Sequence, residues 1–422
     1  MEENTLEKMK LYNELPKDYK PYGTPLKLMP TETMCCPACL RIDLYQGCSF
    51  SCLYCYAMDW FLHTYHNWYR PAKPCDFNII EKAFDLAFNK NSKSKVSRVL
   101  RHRQYIRLGS CTDVFQPIEL KHKLTLKLFK LLNKYNKYPA LIFTKSILQS
   151  RPEYISLMQK GNYVCQESIS IYDDKLRKKI EPGTYSTEKR LEALSVLHKK
   201  GIPVQVRISP HMYPICDIED TIKIIQKAYE SGCNEIIWEP IRLTKSENKL
   251  FKEFANIDMI KEMEKYGEVE CDYGGGCYRN IFPIRQEVMK TIKKEVVDRG
   301  MKFYHCLAEN GFNTTCPGED CCGMDNYKEF SNGAVKRFMQ PMYVMLKEKG
   351  ILTLKDVEGL WSCDEKEFKE QWNKGYFSRY MTNVLIDDYK DDFGNVKYKW
   401  SPDAYGGKKA RFRKQKSVLE WV

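Results

Sequence analysis

The chain has 422 residues, a formal net charge of +13 and 43% hydrophobic residues, enough for one large domain with additions or for two to three domains. No apolar run approaches the roughly 20 residues of a membrane span, and the polar start MEENTLEKMK lacks the apolar core of a signal peptide. We therefore expect a cytoplasmic protein with no membrane partner. Because cytosolic thiols stay reduced, the 18 cysteines favour metal or redox chemistry over disulfides.

Residues 1–34 are predicted to be an extended lead-in, because four prolines interrupt any helix there. A strand–helix alternation follows. Apolar, β-branched runs predict strands at 40–47, 105–110, 140–145, 163–171, 202–209 and 234–240. Helical spacing predicts helices at 79–91, 118–135, 153–161, 187–201 and 217–232. This alternation predicts an α/β fold with a parallel sheet and right-handed crossovers.

Six strand–helix units suit either a partial (β/α)6 TIM-like barrel or an open doubly wound sheet. In a barrel, functional groups gather at the carboxyl ends of the strands. The unusual motifs of this chain follow those ends, in the order GCSFSCLYCYA, SCTD, TKS, SISIYD and RISPH. The sequence therefore predicts one active site at that edge of the sheet.

The chain is predicted to divide into a 1–34 extension, a 35–240 core, a 241–330 part that completes the barrel, and a 331–422 basic extension. The 241–330 part contains two helical segments, a strand at 301–306 and a second cysteine group. The last part includes the basic stretch GGKKARFRKQKS. That stretch suits contact with an anionic partner such as nucleic acid, and a solvated tail is the alternative.

Three cysteines follow the first predicted strand, Cys48, Cys52 and Cys55, with three and then two residues between them. A disulfide needs two cysteines, and a closed zinc site needs four ligands. Three thiolates with one open position fit an iron–sulfur cluster in which one iron has no protein ligand. A zinc site or unrelated buried cysteines are the alternatives.

With this motif the chain resembles the radical S-adenosylmethionine superfamily. The motifs GCSFSCLYCYA, LGSCTDVFQPIE, IFTKS, SISIYDDKLRKKIEPGTYSTEKRLEAL and GIPVQVRISPHMYP, in this order, resemble the spore photoproduct lyase-like group over roughly residues 40–240. The resemblance implies a radical SAM barrel with a [4Fe–4S] cluster on the three cysteines and S-adenosylmethionine on the free iron. It also implies one-electron cleavage to a 5′-deoxyadenosyl radical, which abstracts hydrogen from a substrate, and an electron donor such as flavodoxin or ferredoxin.

The resemblance extends to the residues that bind S-adenosylmethionine in the lyase, which match Thr112, Asp113, Lys145 and Ser170. It implies that Lys145 binds the methionine carboxylate and that the other three bind the amine and ribose. A surface lysine and a helix cap are the alternatives for Lys145 and Asp113. Arg207 on the fifth predicted strand either faces the cavity as a second carboxylate clamp or forms an outward salt bridge.

Cys111 precedes Thr112. The repair lyase of this group uses a nearby cysteine to give a hydrogen atom to the product radical, which implies a catalytic role for Cys111. Here the cysteine is one position nearer to Asp113 than in the lyase, and successive strand residues face opposite sides. A buried structural thiol is therefore the alternative. Glu181 and Pro182 are expected to shape the loop after the fourth strand.

The second cysteine group, CLAENGFNTTCPGEDCCG, contains Cys306, Cys316, Cys321 and Cys322. Four cysteines among glycine and proline turns suit a second iron–sulfur cluster or a zinc site, and separate buried thiols are the alternative. Cys271 and Cys277, with Cys36 and Cys39, form further sets that have the residue types to complete such a site.

Three functions follow from these observations. The leading one is a radical S-adenosylmethionine enzyme that acts on nucleic acid, as a spore photoproduct lyase-like protein. The second is a radical enzyme that modifies a peptide or protein with the help of an auxiliary cluster. The third is a non-catalytic iron–sulfur or zinc module that binds nucleic acid. A non-catalytic module has no need for Thr112, Asp113, Lys145 and Ser170 at the strand ends.

Overall fold

The structure is a computed structural model of the chain. It describes residues 20–21, 23–28, 40–57, 72–101, 103–272, 277–305, 322–327, 330, 349–357, 386–390 and 396–400. The strands within these ranges are β1 (Leu26–Leu28), β2 (Leu40–Ile42), β3 (Tyr45–Gln46), β4 (Lys73–Pro74), β5 (Ile106–Leu108), β6 (Ala140–Thr144), β7 (Tyr163–Ser168), β8 (Val204–His211), β9 (Glu235–Pro240), β10 (Val269–Asp272), β11 (Cys277–Asn280), β12 (Lys302–His305), β13 (Ile351–Leu352), β14 (Ile386–Lys390) and β15 (Val396–Trp400).

The helices of the same ranges mostly alternate with these strands. They are α1 (Asn78–Phe88), α2 (Lys95–Arg101), α3 (Glu119–His122), α4 (Leu124–Lys134), α5 (Pro152–Met158), α6 (Asp174–Ile180), α7 (Thr187–Lys199), α8 (Ile218–Glu230), α9 (Lys245–Leu250), α10 (Met259–Glu264) and α11 (Phe282–Asp298). Asp173, Ser186 and Asp217 each accept a backbone N–H at the start of a helix, as good N-cap residues do. No helix in the described ranges is long and apolar enough to cross a membrane.

One large sheet organises the molecule, with the strand order β1-β2-β5-β6-β7-β8-β9-β12. β1 pairs with β2 antiparallel at one edge, and the other neighbours pair parallel. The predicted α/β fold with a largely parallel sheet is therefore confirmed. Closure into a partial barrel remains a prediction, and so do the predicted domain limits, although β12 does extend the sheet beside β9.

Several helices, among them α4 and α8, cover one face of this sheet. Alternate strand residues such as Ile106, Ile142 and Val206 point to that face and belong to the same buried cluster as Leu128 of α4 and Ile224 of α8. Burying a side chain of this size contributes about 1.5–3 kcal/mol. Because α4 and α8 bury one stripe and expose the other, their amphipathic sequences place them against the sheet.

The other face of the sheet is covered in part by a distant segment. Leu141, Phe143 and Val164 form a smaller buried cluster there with Cys322 and Met324. The carbonyl oxygen of Cys322 accepts hydrogen bonds from the side chains of two strand glutamines, Gln166 at 3.4 Å and Gln205 at 3.0 Å.

Several elements differ from the predictions in detail. The helix predicted at 118–135 is divided into α3 and α4, because Lys123 between them has a left-handed backbone with φ 51°. Such a residue cannot continue an α-helix. The short helices α2 and α6 and the β3–β4 pair have no strong periodicity and were not predicted.

Candidate functional site

The cysteine loop follows β3 and contains all three predicted cluster ligands. Cys52 is buried, Cys48 and Cys55 are partly buried, and the Cys55 N–H donates to the Cys52 carbonyl at 3.2 Å. Burial raises the pKa of Cys48 to about 12, with smaller contributions from Asp113 and Cys55. The pKa of Cys52 is raised by burial and also by Glu181, Cys55 and Cys48. The three sulfurs are therefore close enough to interact electrostatically.

Gln116 holds the first half of this loop. The Ser49 N–H donates to its Oε1 at 3.0 Å, and its Nε2 donates to the Gly47 carbonyl at 3.1 Å. The two bonds reach the residues on either side of Cys48. The sequence analysis missed this role, and the only signal for it is a glutamine that follows a strand end in the motif SCTDVFQP.

Gly183 supports the same loop from the other side. Its N–H donates to the Phe50 carbonyl at 3.1 Å, and a Cβ placed on Gly183 would lie 2.7 Å from the Cα of Phe50. Only glycine permits so close an approach of two backbones. The Leu53 N–H donates to the Ile180 carbonyl at 3.0 Å. The EPGTY motif therefore packs directly on the cysteine loop.

Glu181 of this motif is fully buried and connects the loop to two cations. It accepts a short hydrogen bond from the Tyr54 hydroxyl and forms ion pairs with Arg190 at 3.1 Å and Lys145 at 3.4 Å. Burial raises the pKa of Glu181, but the charges of Lys145 and Arg190 outweigh it and lower the pKa to about 2. The carboxylate therefore stays ionised, and removing one partner of such a buried pair costs about 3–5 kcal/mol.

Lys145 lies beside the cysteine loop. Its Nζ is 5.4 Å from the centre of the Tyr54 ring, and its charge lowers the pKa of Cys52 against the dominant effect of burial. It makes no hydrogen bond of normal geometry within the described ranges, although its Nζ is buried. The alternative of a surface lysine at a strand end therefore does not describe it.

Three serine hydroxyls near the strand ends are also buried without a hydrogen bond in these ranges. In the described part of the chain, Oγ of Ser49, Ser110 and Ser170 is buried and has no hydrogen-bond partner. They belong to the cysteine loop and to the segments that follow β5 and β7. Buried polar groups in native proteins are nearly always hydrogen-bonded. Three hydroxyls without partners among the described residues, together with a buried ammonium whose charge is paired with Glu181, therefore indicate a place for a polar ligand.

The side chains of Thr112 and Asp113 form hydrogen bonds to other parts of the protein. The Thr112 hydroxyl donates to the Tyr45 carbonyl at 2.7 Å. The Asp113 carboxylate accepts from the Phe115 and Lys145 N–H groups at 2.8 and 2.7 Å, and from the Thr144 hydroxyl. Burial raises the pKa of Asp113 to about 6 against these bonds. In this arrangement the two side chains position the loops around the site.

Cys111 lies in a charged pocket. Its Sγ accepts from Arg41 Nη1 at 2.6 Å, and its N–H donates to Asp43 at 2.9 Å. Arg41 and Asp43 are paired at 3.2 Å. The hydroxyl of Tyr56, the residue after Cys55, is 3.9 Å from the Cys111 sulfur. The Cys111 sulfur therefore has a polar contact within the protein.

Arg207 points away from the helix-covered face of the sheet. Its Nη2 pairs with Glu239 at 2.7 Å, which also accepts from the Ser209 hydroxyl at 2.7 Å and pairs with Arg242 at 3.2 Å. Its guanidinium also lies 5.5 Å from the centre of the Phe143 ring. A role as second carboxylate clamp stays a prediction.

The second cysteine group lies largely outside the described residues, which include only Cys322 of its four cysteines. Cys322 packs with Tyr105 and Val164, which stand at the amino ends of their strands. The cysteine loop lies at the carboxyl ends. Among the residues with described positions, no group of three or more His, Cys, Asp or Glu side chains is arranged around a single metal ion. In an iron–sulfur cluster each thiolate binds a different iron.

Comparison with protein-family models gives no match. An uncharacterized protein of Methanocaldococcus jannaschii is 29% identical over 259 residues, which cover 60% of this chain and 86% of that protein. An uncharacterized protein of Mycobacterium bovis is 26% identical over 186 residues, 42% of this chain and 50% of that protein. The chain therefore matches about half the length of the mycobacterial relative.

Among solved structures, spore photoproduct lyase with bound AdoMet and dinucleoside spore photoproduct has a TM-score of 0.49 at 15% identity, covering 64% of this chain and 76% of the lyase. The radical S-adenosylmethionine methyltransferase TsrM from Kitasatospora setae has a TM-score of 0.38 at 10% identity, covering 61% of this chain and 50% of TsrM.

Proposed function

We propose that the protein is a radical S-adenosylmethionine enzyme of the spore photoproduct lyase-like group. One observation carries the proposal: three interacting thiols share one loop, and the hydroxyls of Ser49, Ser110 and Ser170, unpartnered among the described residues, and the buried Lys145 ammonium lie in that loop or at the neighbouring strand ends. A structural zinc site needs metal ligands but no unsatisfied hydroxyls beside them. A polar cofactor bound beside the metal centre needs both the metal ligands and the free polar groups.

The residues fit the two groups that this chemistry requires. Cys48, Cys52 and Cys55 would hold a [4Fe–4S] cluster, whose iron would deprotonate thiols that burial otherwise keeps neutral. Lys145 supplies a positive charge suited to the carboxylate of S-adenosylmethionine, and Ser170 supplies a hydroxyl. When bound, the cluster and S-adenosylmethionine supply one-electron cleavage to a carbon radical that abstracts hydrogen from a substrate.

The protein's own residues then position these groups and neutralise charge. Gln116 and Gly183 fix the cysteine loop through its backbone. Glu181 balances Lys145 and Arg190, so that the site gains a methionine carboxylate without an excess of buried charge. The Asp113 carboxylate accepts a hydrogen bond from the backbone N–H of Lys145. This bond fixes the position of the backbone from which the lysine side chain extends.

For the substrate we propose a nucleic acid. The net charge of +13 and the basic stretch at residues 406–417 support it, because basic segments bind the phosphate backbone. A peptide or protein substrate with an auxiliary cluster is the second candidate, and the cysteines from Cys306 to Cys322 are the observation that favours it.

Anaerobic reconstitution tests the proposal. Protein loaded with iron and sulfide should show a broad visible absorption and release 5′-deoxyadenosine when given dithionite and S-adenosylmethionine. Alanine at Cys48, Cys52 or Cys55 should abolish both signals. About four irons per chain would indicate one cluster and about eight would indicate two. Correctly loaded protein that yields no 5′-deoxyadenosine would instead favour a non-catalytic module.

A further inference from the structure

A basic surface lies on α3 and the start of α4, a few residues after Gln116, which holds the cysteine loop. It consists of Leu120, Lys121, His122, Lys123 and Lys127, and we call it the α3–α4 patch. The three lysines are exposed, and Leu120 is 44% exposed. An exposed leucine surrounded by cations has the composition of a protein-binding surface with a charged rim.

Positive charge in the patch is concentrated and unpaired. The pKa of His122 is lowered by partial burial and then by the charges of Lys121 and Lys127, so these three side chains lie near one another. Within the described residues, Lys121, Lys123 and Lys127 form no ion pair.

The nearby acids do not offset this charge. Glu119, on the same helix, is buried and accepts from the hydroxyls of Tyr45 and Tyr154. Glu153 lies near Lys123 but is paired with Arg151 at 2.8 Å. The patch therefore carries a local excess of positive charge at neutral pH.

The patch is connected to the cysteine loop through one side chain. Gln116, four positions before Leu120 in the sequence, bonds the Gly47 carbonyl and the Ser49 N–H on either side of Cys48. A partner seated on α3 would therefore contact the segment that leads directly from Gln116, the residue that holds the loop around Cys48. α4 packs on the helix-covered face, so such a partner would approach from outside that face.

We propose that the α3–α4 patch docks a small acidic protein that carries one electron at low potential. The inference rests on the proposed function, because the electron would pass to the metal centre on the three cysteines. The carrier loses one electron and the centre gains one, and no bond or proton is exchanged. Charge complementarity would speed the encounter, and Leu120 would provide apolar contact at its centre.

The test compares two reductants and measures binding directly. Titration calorimetry gives the affinity of the full-length reconstituted protein for oxidised flavodoxin at low and high salt. Release of 5′-deoxyadenosine is then followed with reduced flavodoxin and, separately, with dithionite, which needs no docking surface. The variant is Lys121→Glu with Lys127→Glu. Its control is Lys189→Glu with Lys199→Glu, two exposed lysines of α7 with the same total charge change.

We expect the patch variant to bind flavodoxin about tenfold more weakly at low salt, with a matching loss of flavodoxin-driven turnover. Its dithionite-driven turnover should stay within about twofold of the parent. Unchanged flavodoxin binding, or an equal loss in the control, would overturn the docking proposal. So would loss of binding to a single-stranded DNA oligonucleotide while flavodoxin binding stayed intact.

The two proposals fail in different ways. If the parent protein gave no 5′-deoxyadenosine with dithionite, the proposed function would fail whatever the binding result. If the glutamate variant lost iron, Lys121→Gln with Lys127→Gln would repeat the comparison with a smaller change of charge. Equal flavodoxin affinity in that variant and the parent would also count against docking.

Discussion

At the scale of single residues, the site contains two kinds of polar side chain. Some form hydrogen bonds within the protein, and others are buried without a partner in the part of the chain that the structure describes. Thr112 and Asp113 have partners inside the protein, and Lys145 Nζ is paired with Glu181, whereas Ser170 Oγ is buried and forms no hydrogen bond in the described ranges. A buried donor without a partner costs about 1–3 kcal/mol. A ligand that accepted a hydrogen bond from Ser170 would recover that free energy.

The variant Ser170→Ala tests whether the Ser170 hydroxyl binds the ligand. Because the hydroxyl has no partner to lose, the free energy of unfolding without ligand should stay the same or rise slightly. Affinity for S-adenosylmethionine should fall by about 3–10-fold, the value of one hydrogen bond. Calorimetric titration and thermal unfolding measure the two quantities. Thr112→Val is the comparison, since it removes a bond within the protein and should lower stability. Unchanged affinity in Ser170→Ala would remove that residue from the site.

Cys111 poses a different question at this scale, because its sulfur contacts a guanidinium. A hydrogen-atom donor must reach the substrate radical, whereas this sulfur is already in contact with Arg41. We expect Cys111→Ala to leave cleavage of S-adenosylmethionine intact, measured as 5′-deoxyadenosine released with dithionite. Once a substrate is known, a changed product distribution in this variant would support the donor role. An unchanged distribution would support a structural thiol.

At the scale of elements, the cysteine loop depends on the segment after β7. Gly183 of the EPGTY motif and Ile180, the residue before the motif, hydrogen-bond to the loop, and Glu181 contacts Tyr54 between two of the cysteines. The segment that follows β7 therefore sets the geometry of the cysteine loop.

Gly183→Ala should displace the cysteine loop, because the new Cβ would meet backbone atoms of Ser49 and Phe50 that cannot rotate away. We expect loss of most of the iron bound after reconstitution, while circular dichroism shows the helices intact. Gly23→Ala is the control, since a Cβ there has no atom within 4 Å. Full iron content in Gly183→Ala would show that the contact is dispensable.

At the scale of the whole molecule, residues 322–327 return to the sheet and close a buried polar network. Asn326 donates to Glu235 at 2.8 Å, and the Tyr327 hydroxyl donates to it at 3.2 Å. Gln205 on β8 donates to the same carboxyl group. Burial raises the pKa of Glu235 to about 7 despite these bonds. The ionised form is therefore disfavoured in the fold.

A pH dependence of stability follows from this. Between the ordinary glutamate pKa of 4.5 and about 7, the folded protein keeps a proton that the unfolded chain has lost, so stability falls as pH rises. Glu235→Gln should remove this loss, which is on the order of 3 kcal/mol. Urea unfolding of both proteins at pH 5 and pH 8 measures it. Glu188→Gln, an exposed change on α7, should keep the parent's slope. An equal slope in Glu235→Gln would contradict the assignment.

The sequence alone determined the alternation of strands and helices and the position of the cysteine loop after an early strand. Both are local properties, because the period of apolar residues and the spacing of Cys48, Cys52 and Cys55 lie within a few turns of chain. It also indicated that polar motifs follow the strand ends.

Only the tertiary structure decided which of those polar residues support the loop and which lack partners. Three of the hydrogen bonds join residues far apart in the sequence. Gln116 and Ser49 are 67 positions apart, Glu181 and Tyr54 are 127 apart, and Cys322 and Gln205 are 117 apart. Such contacts depend on strand order, register and the direction of each side chain. No local pattern contains these quantities, because they arise when distant segments pack on the same sheet.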